Sequence, residues 1–387
     1  MLILKILWKN AFRNKLRTSL TLLGITIAIL SFGLLRTVIS AWYAGVEASS
    51  ATRLVTRNST SIIFSLPLSY KNRIGQTSGV KTVSYGTWFG GVYIEEKNFF
   101  ANFAVDPQTF LDLYPEFVVS PNEKEAFFRD RKGFVAGRKL VEKYGWKIGD
   151  IVTLKGTIFV GDWDFVLRAI YRGRDKTADE SQFLFHWEYL NETLKKRNPY
   201  HPWVDQVGYY MIGVTRPEVG PAVAAVIDGA FKNSFAETLT ETEKAFQQGF
   251  VAMSGAIITA IQVVSMVVIV IILAVVANTM AMTTRERMGE YAILKTLGFG
   301  RKHIAGLIFG ESFVITMLGC GLGIVATFPA AQVFTHSLGT YFPSFRVEPK
   351  TVYLDLAAGF VVGGCAGIIP AIRAIQIRIA DGLRRIG

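Results

Sequence analysis

Four long apolar runs separated by polar segments dominate the chain. Thr18–Ser40, Phe250–Met282, Ile304–Val333 and Val352–Ile372 carry almost no charge over about 20 residues or more. At 1.5 Å per helical residue, each is long enough to cross a hydrocarbon core of about 30 Å. The second run is longer than a bilayer requires. The polar, helix-like Glu237–Gln248 enters it without a breaker, so the surplus is predicted to project as a stalk. Thr18–Ser40 follows a basic head and also suits a cleaved leader. Its length and the absence of a small-x-small site after it favour a retained anchor. In residues 1–17, apolar Leu4, Leu7, Trp8 and Ala11 and basic Lys5, Lys9 and Arg13 each recur at helical spacing. That pattern fits a helix lying on an anionic surface, or a plain basic flank.

The block 41–250 reads differently. Ser61–Phe64, Val92–Ile94, Ile151–Leu154 and Phe165–Tyr171 are short β-branched and aromatic runs that predict strands. Lys139–Tyr144 and Pro221–Phe231 predict helices, the second with Val223, Val226 and Ile227 on its apolar face. The expected fold is an α-helical membrane protein with four transmembrane helices and a two-lobed α+β domain between helices 1 and 2.

Charge fixes the orientation of this arrangement. The formal charge of +12 would suit nucleic acid if it were spread over a face, but 41–250 holds 25 Lys/Arg against 24 Asp/Glu. Of the remaining 17 basic and 6 acidic residues, 14 basic and 3 acidic lie at 5–17, 285–302 and 373–385, each beside an apolar run. This is the positive-inside pattern; it predicts both termini in the cytoplasm and 41–250 outside. Arg36, near the outer end of the first run, fits a side chain reaching for the head groups, or one lining a polar pathway. Asp355 falls at the outer edge of the fourth run, and Glu311 two turns into the third. Gly306/Gly310, Gly319/Gly323, Gly359/Gly363 and Gly363/Gly367 have the spacing that lets helices approach closely in lipid.

Between the second and third runs, Asn278–Lys302 reads NTMAMTTRERMGEYAILKTLGFGRK. Arg285, Glu286, Arg287, Glu290 and Lys295 form a charged helical turn, with Ala292, Ile293 and Leu297 as its apolar side and Gly298 as its stop. The segment suits contact with a soluble partner, or an ordinary basic loop. Its Asn-x-Met-x-Met…Arg-Glu-Arg…Glu-x-x-x-Leu-Lys-x-Leu-Gly order resembles the signature of the MacB/FtsX-like ABC transporter permeases, which include the lipoprotein-releasing LolC/LolE type. The Arg13–Thr18 opening, the Val105-Asp106-Pro107, Gly133–Leu140 and Gly145–Asp150 order, and the Pro370–Arg373 to Leu383–Arg385 ending resemble the same family.

The resemblance implies a cytoplasmic amphipathic helix at 1–17, spans at 18–40, 251–283, 304–333 and 352–372, and an extracytoplasmic MacB-like domain at 41–250. That domain would comprise lobe one at about 45–104 and 207–240 and an inserted lobe at about 105–206. A coupling helix at 284–303, an outer loop at 334–351 and a cytoplasmic tail at 373–387 complete it. In such a protein Arg285, Glu286, Arg287, Glu290, Ile293, Leu294, Lys295, Leu297 and Gly298 would dock a separate cytoplasmic ATPase, the chain that would bind ATP and Mg. Asn278 would serve local helix packing and Glu311 a tie to the coupling region, with proton carriage as the other role for Glu311. Partners would be that ATPase, a second permease copy or paralogue, membrane lipids and an adaptor or lipoprotein, at a bacterial inner membrane. The work would be export or extraction of a hydrophobic substrate (lipid, lipoprotein, drug or peptide). The alternative is an FtsX-like mechanotransmitter that controls a cell-wall hydrolase; the large outer block favours transport.

Catalytic signatures are missing from the sequence. There is no Gly-x-x-x-x-Gly-Lys-Ser/Thr loop, His-Glu-x-x-His or Gly-x-Ser-x-Gly, so no enzymatic role is expected of this chain. His186, His201, His303 and His336 are scattered; His201 with Asp205 is a conceivable metal pair, and a satisfied loop histidine the plainer reading. Cys320 and Cys365 lie inside apolar runs, so no disulfide staples the 41–250 block.

Overall fold

The computed structural model describes residues 9–175, 178–338 and 345–376. The first eight residues of the expected amphipathic helix, residues 339–344 of the outer loop and the tail from 377 lie outside the described residues. The chain forms two compact units. One is helical and comprises residues 1–41, 254–337 and 345–387; the other is an α/β unit of residues 42–253 and 338–344.

Four helices are long and apolar enough to cross a membrane: Lys15–Ala48, Gly255–Glu286, Arg301–Thr335 and Pro349–Gln376. The fourth breaks at Gly367 into Pro349–Ala366 and Ile368–Gln376, three residues before Pro370, which cannot donate to the carbonyl four residues back. The first and third spans meet at glycines. A β-carbon on Gly319 would lie 2.7 Å from Ile25 Cβ, and one on Gly323 2.7 Å from Ile29 Cβ and 2.9 Å from the Thr26 carbonyl oxygen. Gly306 of the third span, by contrast, has nothing within 4 Å. Gly323→Leu is therefore expected to push the two spans apart and cost about 1–3 kcal/mol, read as a lower melting temperature in lipid nanodiscs, while Gly306→Ala leaves melting unchanged.

The α/β unit is built on one 11-stranded sheet. Its path runs Thr238–Thr242, Arg53–Asn58, Tyr209–Val214, Val80–Trp88, Asn102–Val105, Phe183–His186, Gly133–Gly137, Gly161–Gly173, Ile151–Gly156 and Gly91–Val92, with Phe117–Val118 pairing beside Gly161–Gly173. Asn102–Val105 pairs antiparallel with Val80–Trp88 and parallel with Phe183–His186, so the strands of both expected lobes belong to one ladder. Phe183–His186 and Gly133–Gly137 are buried at every position because both faces of the sheet are covered. Arg168 is an extra residue in the ladder opposite Phe134 and Val135. The bulge turns the strand over. Trp163, Phe165 and Leu167 fill one core, whereas Ala169 and Tyr171 fill the other with Phe110, Phe127 and Leu184.

Several expectations need correction. Ser61–Phe64 is a turn: the Phe64 amide donates to the Ser61 carbonyl and the Ile63 amide to its hydroxyl, a local closure that competes with strand pairing. Pairing stops at Val92, and Ile94 has φ 61°. Val226 is 57% exposed, so Val223 and Ile227 alone seat their helix. The continuous helix expected through Glu237 is absent. Thr238–Thr242 is an edge strand with Thr238 and Thr240 buried, as β-branched alternation favours, and helices follow only at Glu243–Met253 and, after Ser254, at Gly255–Glu286.

Candidate functional site

The segment joining the second and third spans folds as a short helix, Met288–Thr296, rather than as one helix over 284–303. The second span ends at Glu286, and the Arg287 amide is shared between the carbonyls of Thr283 and Thr284 at 3.2 Å each. At the other end the Phe299 amide donates to the Leu294 carbonyl (3.0 Å) and the Gly298 amide to the Lys295 carbonyl (3.1 Å), with Gly298 at φ 88°. This is a glycine-closed helix end, and the left-handed backbone it needs is one that other residues adopt only under strain.

The two faces of this helix differ. Tyr291 and Ala292 are buried, whereas Ile293 is 44%, Leu297 70% and Phe299 44% exposed beside an exposed Arg285. Ala292 thus lies on the inner face, apart from the Ile293 and Leu297 with which it was grouped from the sequence. Most of the charged residues expected to meet a partner are bonded within the chain instead. Arg287 Nη1 donates to Glu311 Oε2 (2.8 Å) on the third span and Arg287 Nε to Glu290 Oε2 (3.0 Å). Arg13 Nη1 donates to Glu290 Oε1, and Arg17 grips both oxygens of Glu286 at 2.8 and 2.7 Å. Lys295 Nζ donates to the Ile375 carbonyl (2.8 Å) near the end of the fourth span. Leu294 is half-buried, Gly298 exposed, and Asn278 exposed on the second span. Every span therefore has a bond or a covalent link to this one turn of chain.

Arg13, Arg17 and the Lys295–Ile375 bond were not found from the sequence. A signal existed for the first two: arginines four residues apart match glutamates four apart at 286 and 290. Glu290 also carries a pH dependence. Its partial burial would raise its pKa, but the hydrogen bonds from Arg13 and Arg287 outweigh this and hold it below the ordinary glutamate value. A carboxylate depressed in the folded state stabilises above its unfolded pKa, about 4.3, and that contribution disappears as pH falls through the lower folded value. Amide exchange across 288–296 is expected to rise on acidification through that range. Glu290→Gln should show the raised exchange already at neutral pH, with no further acid step.

The conceivable metal pair has other partners: His201 Nδ1 accepts from the Trp203 amide, and Asp205 Oδ1 accepts from Asn191 and Lys195. No cluster of potential ligands is placed to hold a metal among the described residues.

Residues 262–379, which contain the short helix, its Glu311 anchor and the last two spans, match the family described as FtsX-like permease C-terminal. The C-terminal part of this chain is therefore similar to FtsX-like permeases, and its relatives are named as ABC transporter permeases. The chain is 23% identical over 402 residues to an uncharacterised ABC transporter permease of Methanocaldococcus jannaschii, covering 97% of this chain and 96% of that one. It is 30% identical over 173 residues to the uncharacterised ABC transporter permease YvrN of Bacillus subtilis, covering 44% and 38%. Among solved structures, the extracellular domain of the ABC-type transporter YknZ from Gram-positive bacteria aligns at TM-score 0.34 and 11% identity, over 49% of this chain and 100% of that one. A permease-protein domain from Porphyromonas gingivalis aligns at TM-score 0.32 and 12% identity, over 50% and 90%.

Proposed function

We propose that this permease carries motion from a separate ATPase, seated against Arg285, Ile293, Leu297 and Phe299, into its spans and on to the α/β unit outside the membrane. One observation supports this reading above the rest. The short helix turns Ile293 outward, with Leu297 at its C-terminal end also exposed, within a segment rich in basic residues where contact with water would not favour them, while its other face is ion-paired to the spans. Force applied to the outer face then has a bonded route through Arg287 to Glu311 and through Glu290 to Arg13. The exposed basic residues Arg285, Arg301, Lys302 and Arg373 favour the cytoplasm for this end. A second permease chain would bring a second seat, and the pair would extract or export a hydrophobic molecule from the outer side. The permease itself supplies no site for nucleotide hydrolysis in this reading; ATP and Mg belong to the partner.

Leu297→Asp tests it. Co-purification of an ATPase with the full-length permease in mild detergent is expected to fall about tenfold, the equivalent of about 1.4 kcal/mol of docking energy, while the variant inserts and melts as the parent does. Failure of any ATPase to co-purify with the parent, or undiminished recovery with Leu297→Asp, would overturn the proposal.

A further inference from the structure

The outer half of the helical unit contains an acid with no role in the arrangement above. Asp355, expected at the edge of the fourth span, is fully buried, and neither carboxylate oxygen has a hydrogen-bond partner among the described residues. It faces the first span at Gly33: a β-carbon there would lie 3.0 Å from Asp355 Oδ2 and 3.1 Å from Thr327 Oγ1.

Each polar neighbour is committed elsewhere. The Thr327 hydroxyl donates to the Gly323 carbonyl of its own helix and the Thr37 hydroxyl to Gly33. Cys320 donates to the main-chain oxygen of Asp355, not to its carboxylate. The second span, which packs along the fourth, has no charged residue between Gly255 and Thr284. On the third span, Glu311 is held by Arg287 and lies 16 residues from Thr327, about 24 Å along a helix. At the mouth of the fourth span Glu348 accepts from Ser40. Lys350, five residues before Asp355 on the same helix, is exposed; Arg36 is the cation with a buried atom that has no partner among the described residues. Arg36 lies three residues beyond Gly33, about 4.5 Å along the first span, and its Nε is buried without a partner. Helical side chains lean toward the N-terminus of their own helix, which for Arg36 is the direction of Gly33.

Two opposite charges on helices in contact, both unpaired at buried atoms, are costly in a bilayer. We propose that Arg36 and Asp355 are the two halves of an intramembrane ion pair that latches the first span to the fourth in a second arrangement of the bundle, and that the structure described here is the unlatched one. Gly33 is the permissive element, since any side chain there would stand between the two groups. The latch does not depend on which partner docks at 285–299.

A double-mutant cycle on the full-length permease in lipid nanodiscs tests it. Arg36→Gln and Asp355→Asn are each expected to lower the melting temperature by several degrees. The double variant should recover most of the loss, and Arg36→Lys, which keeps the charge, should melt like the parent. If a single variant fails to insert, insertion yield takes the place of melting, and recovery by the double variant supports the latch in the same way. Additive losses, an unaffected Arg36→Gln, or a double variant no better than its worse single would overturn it.

Discussion

Arg287→Leu is expected to destabilise the helical unit by about 3–5 kcal/mol, the usual effect of removing one partner from a buried pair. Glu311 is 3% exposed and its contact with Arg287 Nη1 is the ion pair that offsets its burial. Removing the arginine leaves a carboxylate inside the bundle, and it also removes one of the two arginines that hold Glu290. The two positions are not equivalent in the reverse experiment. Glu311→Gln keeps an oxygen for Arg287 and is expected to be mild; Glu311→Leu strands the guanidinium and is expected to be severe. Exchanging both residues for apolar ones of similar volume should recover much of the loss, because the pair's Coulombic gain and its desolvation nearly cancel. Melting in nanodiscs reads all four variants. Equal, severe loss in Glu311→Gln and Glu311→Leu, together with pH-dependent transport by the parent, would assign Glu311 to proton carriage instead.

The second large effect lies in the α/β unit. Arg53 is 5% exposed and reaches three acceptors: Glu243 Oε2 through Nε at 2.8 Å, Glu116 Oε1 through Nη2 at 2.6 Å and the Leu113 carbonyl through Nη1 at 3.1 Å. Its guanidinium also lies 4.2 Å from the centre of the Tyr114 ring. Burial acts to lower its pKa, but the two carboxylates outweigh that and raise it, so Arg53 stays charged at any pH the protein meets. Arg53→Met leaves two carboxylates facing one another with no cation between them and is expected to cost about 3–5 kcal/mol. Arg53→Lys should rescue little, since one ammonium cannot span a three-way fork. Thermal unfolding followed by the fluorescence of the buried Trp163 and Trp187 in the full-length protein measures both.

The spans were legible because a helix needs a long uncharged run to cross a bilayer, and length alone reveals that. The helix stop at Gly298 was legible because a left-handed residue after a periodic segment favours glycine. Faces were not. A helix that is apolar all round gives no moment to show which side meets protein, so the complete burial of Asp355 and the exposure of Asn278 could not be read from spacing. Long-range pairing was equally hidden: Arg13 and Glu290 are 277 positions apart. In the α/β unit, β-branched and aromatic runs at Ile151–Leu154 and Phe165–Tyr171 marked the strands Ile151–Gly156 and Gly161–Gly173, but the bulge at Arg168 depends on the ladder rather than on the strand. Local competition explains Ser61–Phe64, where a serine hydroxyl closes a turn before any partner strand is met. Thr238–Thr242 is hidden for the opposite reason: Glu241, with Glu237 and Glu243 flanking the strand, resembles an exposed helix face, while the buried Thr238 and Thr240 are those of an edge strand.

The Arg53 cluster has a further consequence. The Ser50 amide and the Arg53 side chain both bond Glu243 Oε2, at 2.7 and 2.8 Å, so the strand that opens the sheet and the helix that leaves it start from the same point. A block whose two ends coincide can be lifted out or exchanged without altering the separation of the sequences that flank it. Residues 50–243 are in that sense a cassette. A different α/β block, of another size, could be spliced at this junction while the four long helices and the short helix Met288–Thr296 remained as they are.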